Sequence, residues 1–484
     1  MQLRMLNILR TLVVGVLALQ LCSGIAQSQT WTKLTNKSPI SAGTALLLTD
    51  GRVLVQEYSS NVYYTLTPDI TGSYINGTWT KVAAGPSDYG PLYYASAVLP
   101  DDRVVVIGGE YNFGGEEETN KGAIYDPVAN TWTALAAPAG WNNIGDGQSV
   151  ILENGTLVIG SCCVQEMASL NASTLAWTIL PVTGKADNYN EEGWTLLPNG
   201  SILTADTLDG TNSELFIPSK NKWVSAGSTV VPLAVSSDEI GPGPLRPNGT
   251  VFYIGATGNT AIYTPSATGV GSWAAGPDLP LYKGQQLNVA DGPAAVLPDG
   301  NVLFQASPGI YTEPSFFFEY NGTTITQEPS TATSSSEPEY DGRMLVLPTG
   351  QIFWTGSNND VEIYTPAGTY ESAWRPVITG APASVTPGSS YYIEGTLFNG
   401  MTQGAFYGDD AQMATNFPVL QIINAATGHV FYARTFDHSY MGVQAPSTLV
   451  HTRFEVPTGI ETGPSSFVVI ASGIPSSPFA VTVN

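Results

Sequence analysis

The chain has 484 residues, a net charge of −23 and only 12% charged residues, with 51 Gly and 34 Pro. So acidic a surface excludes nucleic acid and anionic membranes as natural partners. The Gly/Pro content beside 43% hydrophobic residues suits an all-β chain with many tight turns rather than a helical one.

The N-terminus reads as an export signal over residues 1–26. Arg4 and Arg10 form a basic start, Leu12 to Leu21 an apolar run too short to span a bilayer, and Gly24-Ile25-Ala26 a small-residue cleavage site. Leu19-Gln20-Leu21-Cys22 is a weak match to a lipoprotein signal, so lipid anchoring at Cys22 is the minor alternative to secretion. The mature chain is expected to carry no transmembrane segment. Only Cys162 and Cys163 would remain in it, which rules out a disulfide scaffold. Adjacent cysteines can form a vicinal disulfide or serve as two small apolar residues, and the sequence leaves both open.

A hairpin then repeats along the chain. Residues 291–307 give its cleanest copy: an apolar strand, the turn Pro298-Asp299-Gly300, and a second apolar strand. Asp-Gly is a two-residue hairpin signal, expected to place both residues at positive φ. The turn recurs at Asp50-Gly51, Asp101-Asp102, Asn154-Gly155, Asn199-Gly200, Asn248-Gly249, Asp299-Gly300 and Thr349-Gly350, with spacings of 51, 53, 45, 49, 51 and 50 residues. A period near fifty is the kelch spacing. A third strand follows most hairpins, and a Trp opens a fourth at Trp79, Trp132, Trp177, Trp223, Trp273 and Trp374; the sixth copy has Thr324-Ile325-Thr326 there. Four antiparallel strands per copy make one propeller blade, and the Trp residues are expected to pack between blades. Trp31-Thr32-Lys33-Leu34 precedes the first hairpin and is expected to close the ring by completing the last blade, leaving the Trp374 strand to lead out.

These patterns predict an all-β chain: a seven-bladed propeller over residues 27–375, then an immunoglobulin-like sandwich over 376–484, where short strands alternate with turns. Three of the seven N-glycosylation sequons, at Asn154, Asn199 and Asn248, are explained by turn chemistry alone.

Aligned on the turns, the position nine residues upstream holds Ala42, Tyr93, Asp146, Glu191, Ile240, Asp291 and Asp341, with Glu239 one place off. In a propeller this is where each innermost strand starts, at the mouth of the central channel. The acids there form either a solvated ring that holds strand starts or a pocket for a cation or a sugar. Carboxylates suit a hard ion such as Ca²⁺ and accept hydrogen bonds from hydroxyls. The only histidines, His429, His438 and His451, show no zinc spacing. Neither a nucleophile elbow nor a phosphate loop occurs.

Tyr93-Tyr94-Ala95-Ser96-Ala97 with Val104 to Gly109, Tyr407-Gly408-Asp409-Asp410, and the run Thr435 to Val443 resemble the galactose oxidase and glyoxal oxidase family. The resemblance implies a kelch-type propeller followed by an early-set immunoglobulin-like domain. It also implies a copper and a tyrosyl radical that oxidise alcohols or aldehydes with O₂. On this pattern Tyr93 matches the radical tyrosine, Tyr340 the axial tyrosine, His438 a histidine ligand from the C-terminal domain, and Tyr111 the aromatic cover. Asp341 stands where the family has its other histidine, and Ala42 near the place of the cross-linking cysteine. A retained metal would therefore be held by Tyr93, Tyr340, Asp341 and His438, with copper doubtful and Ca²⁺ the other candidate. The expectation is a secreted binding protein for an extracellular small molecule or carbohydrate at Asp146, Glu191, Glu239, Asp291, Asp341 and Tyr111. The alternatives are a divergent copper- or other metal-dependent oxidoreductase acting on alcohols, aldehydes or sugars, and a purely structural extracellular protein.

Overall fold

The computed structural model describes residues 29–266, 270–408 and 413–484. The expected signal at 1–26, with Cys22, lies outside them, as do Asp409 and Asp410. Among the described residues the architecture is almost wholly antiparallel β, with only short 3-10 turns as helix, and no helix is long and apolar enough to cross a membrane.

All seven predicted turns form, but not in the expected geometry. The second turn residue is left-handed in every copy, with φ from 74° at Asp102 to 86° at Gly249, while the first is not. In the first copy the Leu48 N–H donates to Arg52 O and the Gly51 N–H to Leu48 O. Matching outer bonds run from Leu99 to Arg103 and from Leu297 to Asn301. This is a type I turn closed by a left-handed residue, one residue longer than the two-residue hairpin. The Asp or Asn explains the preference: its side chain accepts the N–H two residues on, at 3.1 Å for Asp50 to Arg52 and 3.0 Å for Asp299 to Asn301.

Blades one to four each contain four antiparallel strands, the first running through Ala42–Leu47, Val53–Glu57, Tyr63–Thr67 and Thr78–Lys81. Blade two's sheet is built from Ala95–Val98, Val104–Ile107, Gly122–Asp126 and Thr131–Ala134. Blade five keeps three strands, and its innermost strand shrinks to a single bridge, Leu245 to Val251. Pro242 and Pro244 are the cause: their carbonyls accept from Ile254 and Phe252, but proline has no N–H to return. Blade seven pairs Arg343–Val346, Ile352–Thr355 and Glu362–Thr365, and Thr30–Lys33 completes it, with Trp31 opposite Tyr364. With that place filled, Trp374 opens no strand; it ends the 3-10 turn Ser372–Trp374.

Three of the repeated Trp residues join consecutive blades. The indole N–H of Trp79 donates to Asn36 O, that of Trp132 to Ala83 O and that of Trp177 to Ala136 O. Each ring is thus satisfied at its polar end while its body packs against the blade core. Cys162 and Cys163, just after the third hairpin, are joined in a vicinal disulfide.

Beyond residue 376 the strands form an immunoglobulin-like sandwich whose two sheets share Val430–Phe436. That strand pairs with Val419–Asn424 through its first half and with Val450–Glu455 through its second. Phe398, Leu420, Ile422, Phe454, Phe467 and Val469 fill the core between the sheets. The sandwich sits on the turn side of the propeller: Arg434 pairs with Asp102 at 2.7 Å, and the Met441 N–H donates to Glu153 O. One segment leaves it. Ala405–Tyr407 enters the propeller and pairs with Pro293–Val296 as a fifth, innermost strand of blade six.

Candidate functional site

The strand-start register carries a backbone signature. Tyr93, Glu191 and Asp291 are all left-handed, with φ of 51°, 48° and 56°. Non-glycine residues in this region cost about 1–3 kcal/mol each and persist where the surroundings fix them. Gly193 and Gly408 allow the inserted segment past this mouth: a Cβ on Gly193 would meet Gly408 O at 2.5 Å.

Around the end of that segment lies a cavity of about 250 Å³. Its carboxylates are Glu110, Asp146, Glu191, Glu239 and Asp291, and its phenols are Tyr93, Tyr111, Tyr311, Tyr340 and Tyr407. The Tyr93 and Tyr407 rings stack with centroids 6.3 Å apart, Tyr111 meets Tyr93 edge-on at 6.0 Å, and Tyr311 meets Tyr340 edge-on at 5.2 Å. The Tyr407 hydroxyl donates to Tyr340 O at 2.7 Å. The Arg343 guanidinium lies over the Tyr407 ring at 3.5 Å and over Tyr93 at 5.2 Å, and its Nη1 donates to Tyr340 O and Gly342 O. The Tyr311 hydroxyl donates to Glu239 Oε1.

Five predicted binding residues, Tyr111, Asp146, Glu191, Glu239 and Asp291, therefore meet in one cavity, together with Tyr93 and Tyr340. Asp341 does not line it. The 3-10 turn Glu339–Asp341 presents Tyr340 to the cavity instead, and Asp341 acts electrostatically on Tyr93, Tyr58 and Arg343. Burial raises the Asp341 carboxyl above its ordinary range, with Arg343 opposing.

His438 is not at the site. It is buried between the domains, where its Nδ1 meets Thr452 Oγ1 at 2.8 Å, its ring stacks on Phe417, and its N–H donates to Pro100 O. Pro100 is at the turn end of the strand that Tyr93 starts, roughly 20 Å away at a strand's rise per residue. Burial lowers the His438 pKa to about 3, so the imidazole stays neutral. The residue that the C-terminal domain delivers is Tyr407. Sequence reading also missed Tyr311, Glu110 and Arg343. Tyr407 lies in the quoted Tyr-Gly-Asp-Asp motif, which was its available signal; Tyr311 lies in an inter-strand loop with none.

Burial dominates the electrostatics of the phenols. It holds Tyr93 and Tyr311 well above the ordinary tyrosine range, and Tyr340 at about 12, with Asp341 adding to the effect on Tyr340. These phenols stay protonated at neutral pH. Burial also raises Glu339, behind the mouth, to about 8, and lifts Glu337 and Glu319 to about 7. A carboxyl whose folded pKa exceeds its unfolded one stabilises the fold while protonated, and that stability is lost as pH rises through the folded value. Thermal melts in EDTA are therefore expected to show the midpoint falling by about 5 °C between pH 5 and pH 8.5. Glu339→Gln should flatten part of that slope.

A kelch-motif family model matches residues 91–138, which form most of blade two. The Kelch-like protein terF of Aspergillus terreus is 28% identical over 120 residues, 22% of this chain and 26% of that protein, so the match spans about a quarter of the relative. A copper-bound fungal alcohol oxidase of the AA5 family is 15% identical with a TM-score of 0.55, covering 95% of this chain and 100% of the other. Blades and motif together define a kelch-type β-propeller protein. Its particular architecture, with the trailing sandwich, is that of the galactose-oxidase-like fold.

Proposed function

We propose that the chain is an exported binding protein that takes a small hydroxyl-rich ligand, such as a sugar, into the axial pocket, and that copper-radical chemistry has been lost. The division into signal 1–26, propeller 27–375 and early-set domain 376–484 belongs to the same reading. The observation that carries it is the pocket wall itself: among the described residues it is five carboxylates and five phenols, with no imidazole. Carboxylates accept hydrogen bonds from ligand hydroxyls, and tyrosines offer a flat apolar face beside a polar tip.

The same wall is a poor fit to copper. Copper(II) prefers nitrogen-rich donor sets, and every side-chain donor that the described residues bring to this pocket is oxygen. Tyr93 would have to give up a proton that burial holds on. The position one blade upstream is Ala42, which offers no sulfur for a cross-link.

The test is metal analysis and EPR of the purified protein after copper loading, with a peroxide assay on galactose and glyoxal, beside a glycan array. Array binding that disappears in Asp291→Asn, without stoichiometric copper or peroxide, is the expected result. Copper at one equivalent with turnover would overturn the reading in favour of a divergent oxidase.

A further inference from the structure

Glu191, Glu239 and Asp291 come from the loops that open three successive blades, and each offers an oxygen such that the three lie within 4.8 Å of one another. Ionised carboxylates this close repel one another. Oxygens bound to one Ca²⁺ at about 2.3–2.6 Å stand at most about 5 Å apart, so this is the spacing of ligands that share a hard ion. Glu239 adds an independent observation. It is only 6% exposed, its Oε1 accepts from Tyr311, and its Oε2 is buried with no hydrogen-bond partner. A buried carboxylate oxygen with no donor is costly, and a cation removes that cost. The other large acidic cluster of the propeller encloses its own ammonium, Lys185. Among the described residues no Lys, Arg or His lines this pocket, and Arg343 lies behind the Tyr93 and Tyr407 rings.

We propose that Glu191, Glu239 and Asp291 bind a Ca²⁺-class cation, and that the ion's open positions take vicinal hydroxyls of the pocket's ligand. The second half rests on the binding function proposed above. Three carboxylates supply three to six oxygens, whereas Ca²⁺ takes about six to eight, which leaves positions on the cavity side.

The probe is Tb³⁺, titrated into metal-stripped mature protein with excitation in the tyrosine band. Tyr311 touches Glu239 and lies 5.2 Å from the Tyr340 ring, so both can sensitise an ion held there. The expected result is sensitised emission that Ca²⁺ displaces. Affinity should fall at least about tenfold in Glu239→Gln and in the less buried Glu191→Gln, and should be unchanged in Asp206→Asn of the Lys185 cluster. Circular dichroism checks folding, and Glu191→Gln keeps the test decisive if Glu239→Gln does not fold. Absent emission, affinity unchanged in both pocket variants, or loss confined to Asp206→Asn would overturn the site. Glycan-array binding that survives EDTA would overturn the bridging role while leaving the binding function in place. Tb³⁺ binding with no array ligand would leave the cation site and overturn the carbohydrate reading.

Discussion

Lys185→Met is expected to cost about 3–5 kcal/mol of stability, the range for uncovering buried charges, and to lower the melting temperature by roughly 3–7 °C. The Lys185 ammonium has no exposed side-chain surface. It stands 2.6 Å from Glu192 Oε1 and 2.7 Å from Glu214 Oε2 and also pairs with Asp187. Tyr189 and Trp223 face it with ring centroids at 5.3 and 5.6 Å. Asp206 completes the group, and neither of its buried oxygens has a hydrogen-bond partner. Burial alone would lower the Lys185 pKa, but Glu192, Asp206, Asp187 and Glu214 outweigh it and hold the amine charged. Burial raises Asp206 to about 8 and lifts Glu192 well above the ordinary range. One ammonium thus offsets four carboxylates, some of which keep their protons.

The sign of the pH dependence separates this account from simple packing loss. With Met at 185 the carboxylates have only protons to neutralise them, so the deficit should be smaller at pH 5 than at pH 8.5. Adding Asp206→Asn should recover part of the loss at the higher pH. Denaturant melts at both values measure this, and a deficit independent of pH would refute the electrostatic origin.

What the sequence made legible follows from what is local. Turn position depends on two or three neighbouring residues, and a left-handed residue stands at each of the seven expected places. The register nine residues upstream is local too, which is why Tyr93, Asp146, Glu191 and Asp291 converge. Asp341 shares that register but not the cavity, because a 3-10 turn there swings Tyr340 into place. Long-range placement was not legible. Glu192 and Asp206 lie on different segments of blade four, and their common partner Lys185 precedes both, so no spacing rule marks the cluster. His438 matches the family motif in sequence, but the path of the inserted segment puts Tyr407 at the mouth instead.

Tyr407→Ala should be comparably damaging, at about 3–5 kcal/mol, because it deletes a buried aromatic ring. The ring is 1% exposed, stacks on Tyr93, and carries the Arg343 guanidinium 3.5 Å above its centroid. Its removal uncovers that cation and one face of Tyr93, and leaves Tyr340 O with Arg343 as its remaining donor among the bonds described. Tyr407→Phe keeps the ring and loses one hydrogen bond, so about 1 kcal/mol is expected. The two variants separate the ring from its hydroxyl. They also report on how the domains hold together, because Tyr407 pairs with Pro293 at the end of the only strand that the C-terminal domain lends to a blade among the described residues. Limited proteolysis should cut Tyr407→Ala faster than the wild type near residues 405–408, with Tyr407→Phe close to the wild type. Equal stability and equal cleavage of the two variants would mean that the strand pairing, rather than the aromatic ring, holds the segment at the mouth.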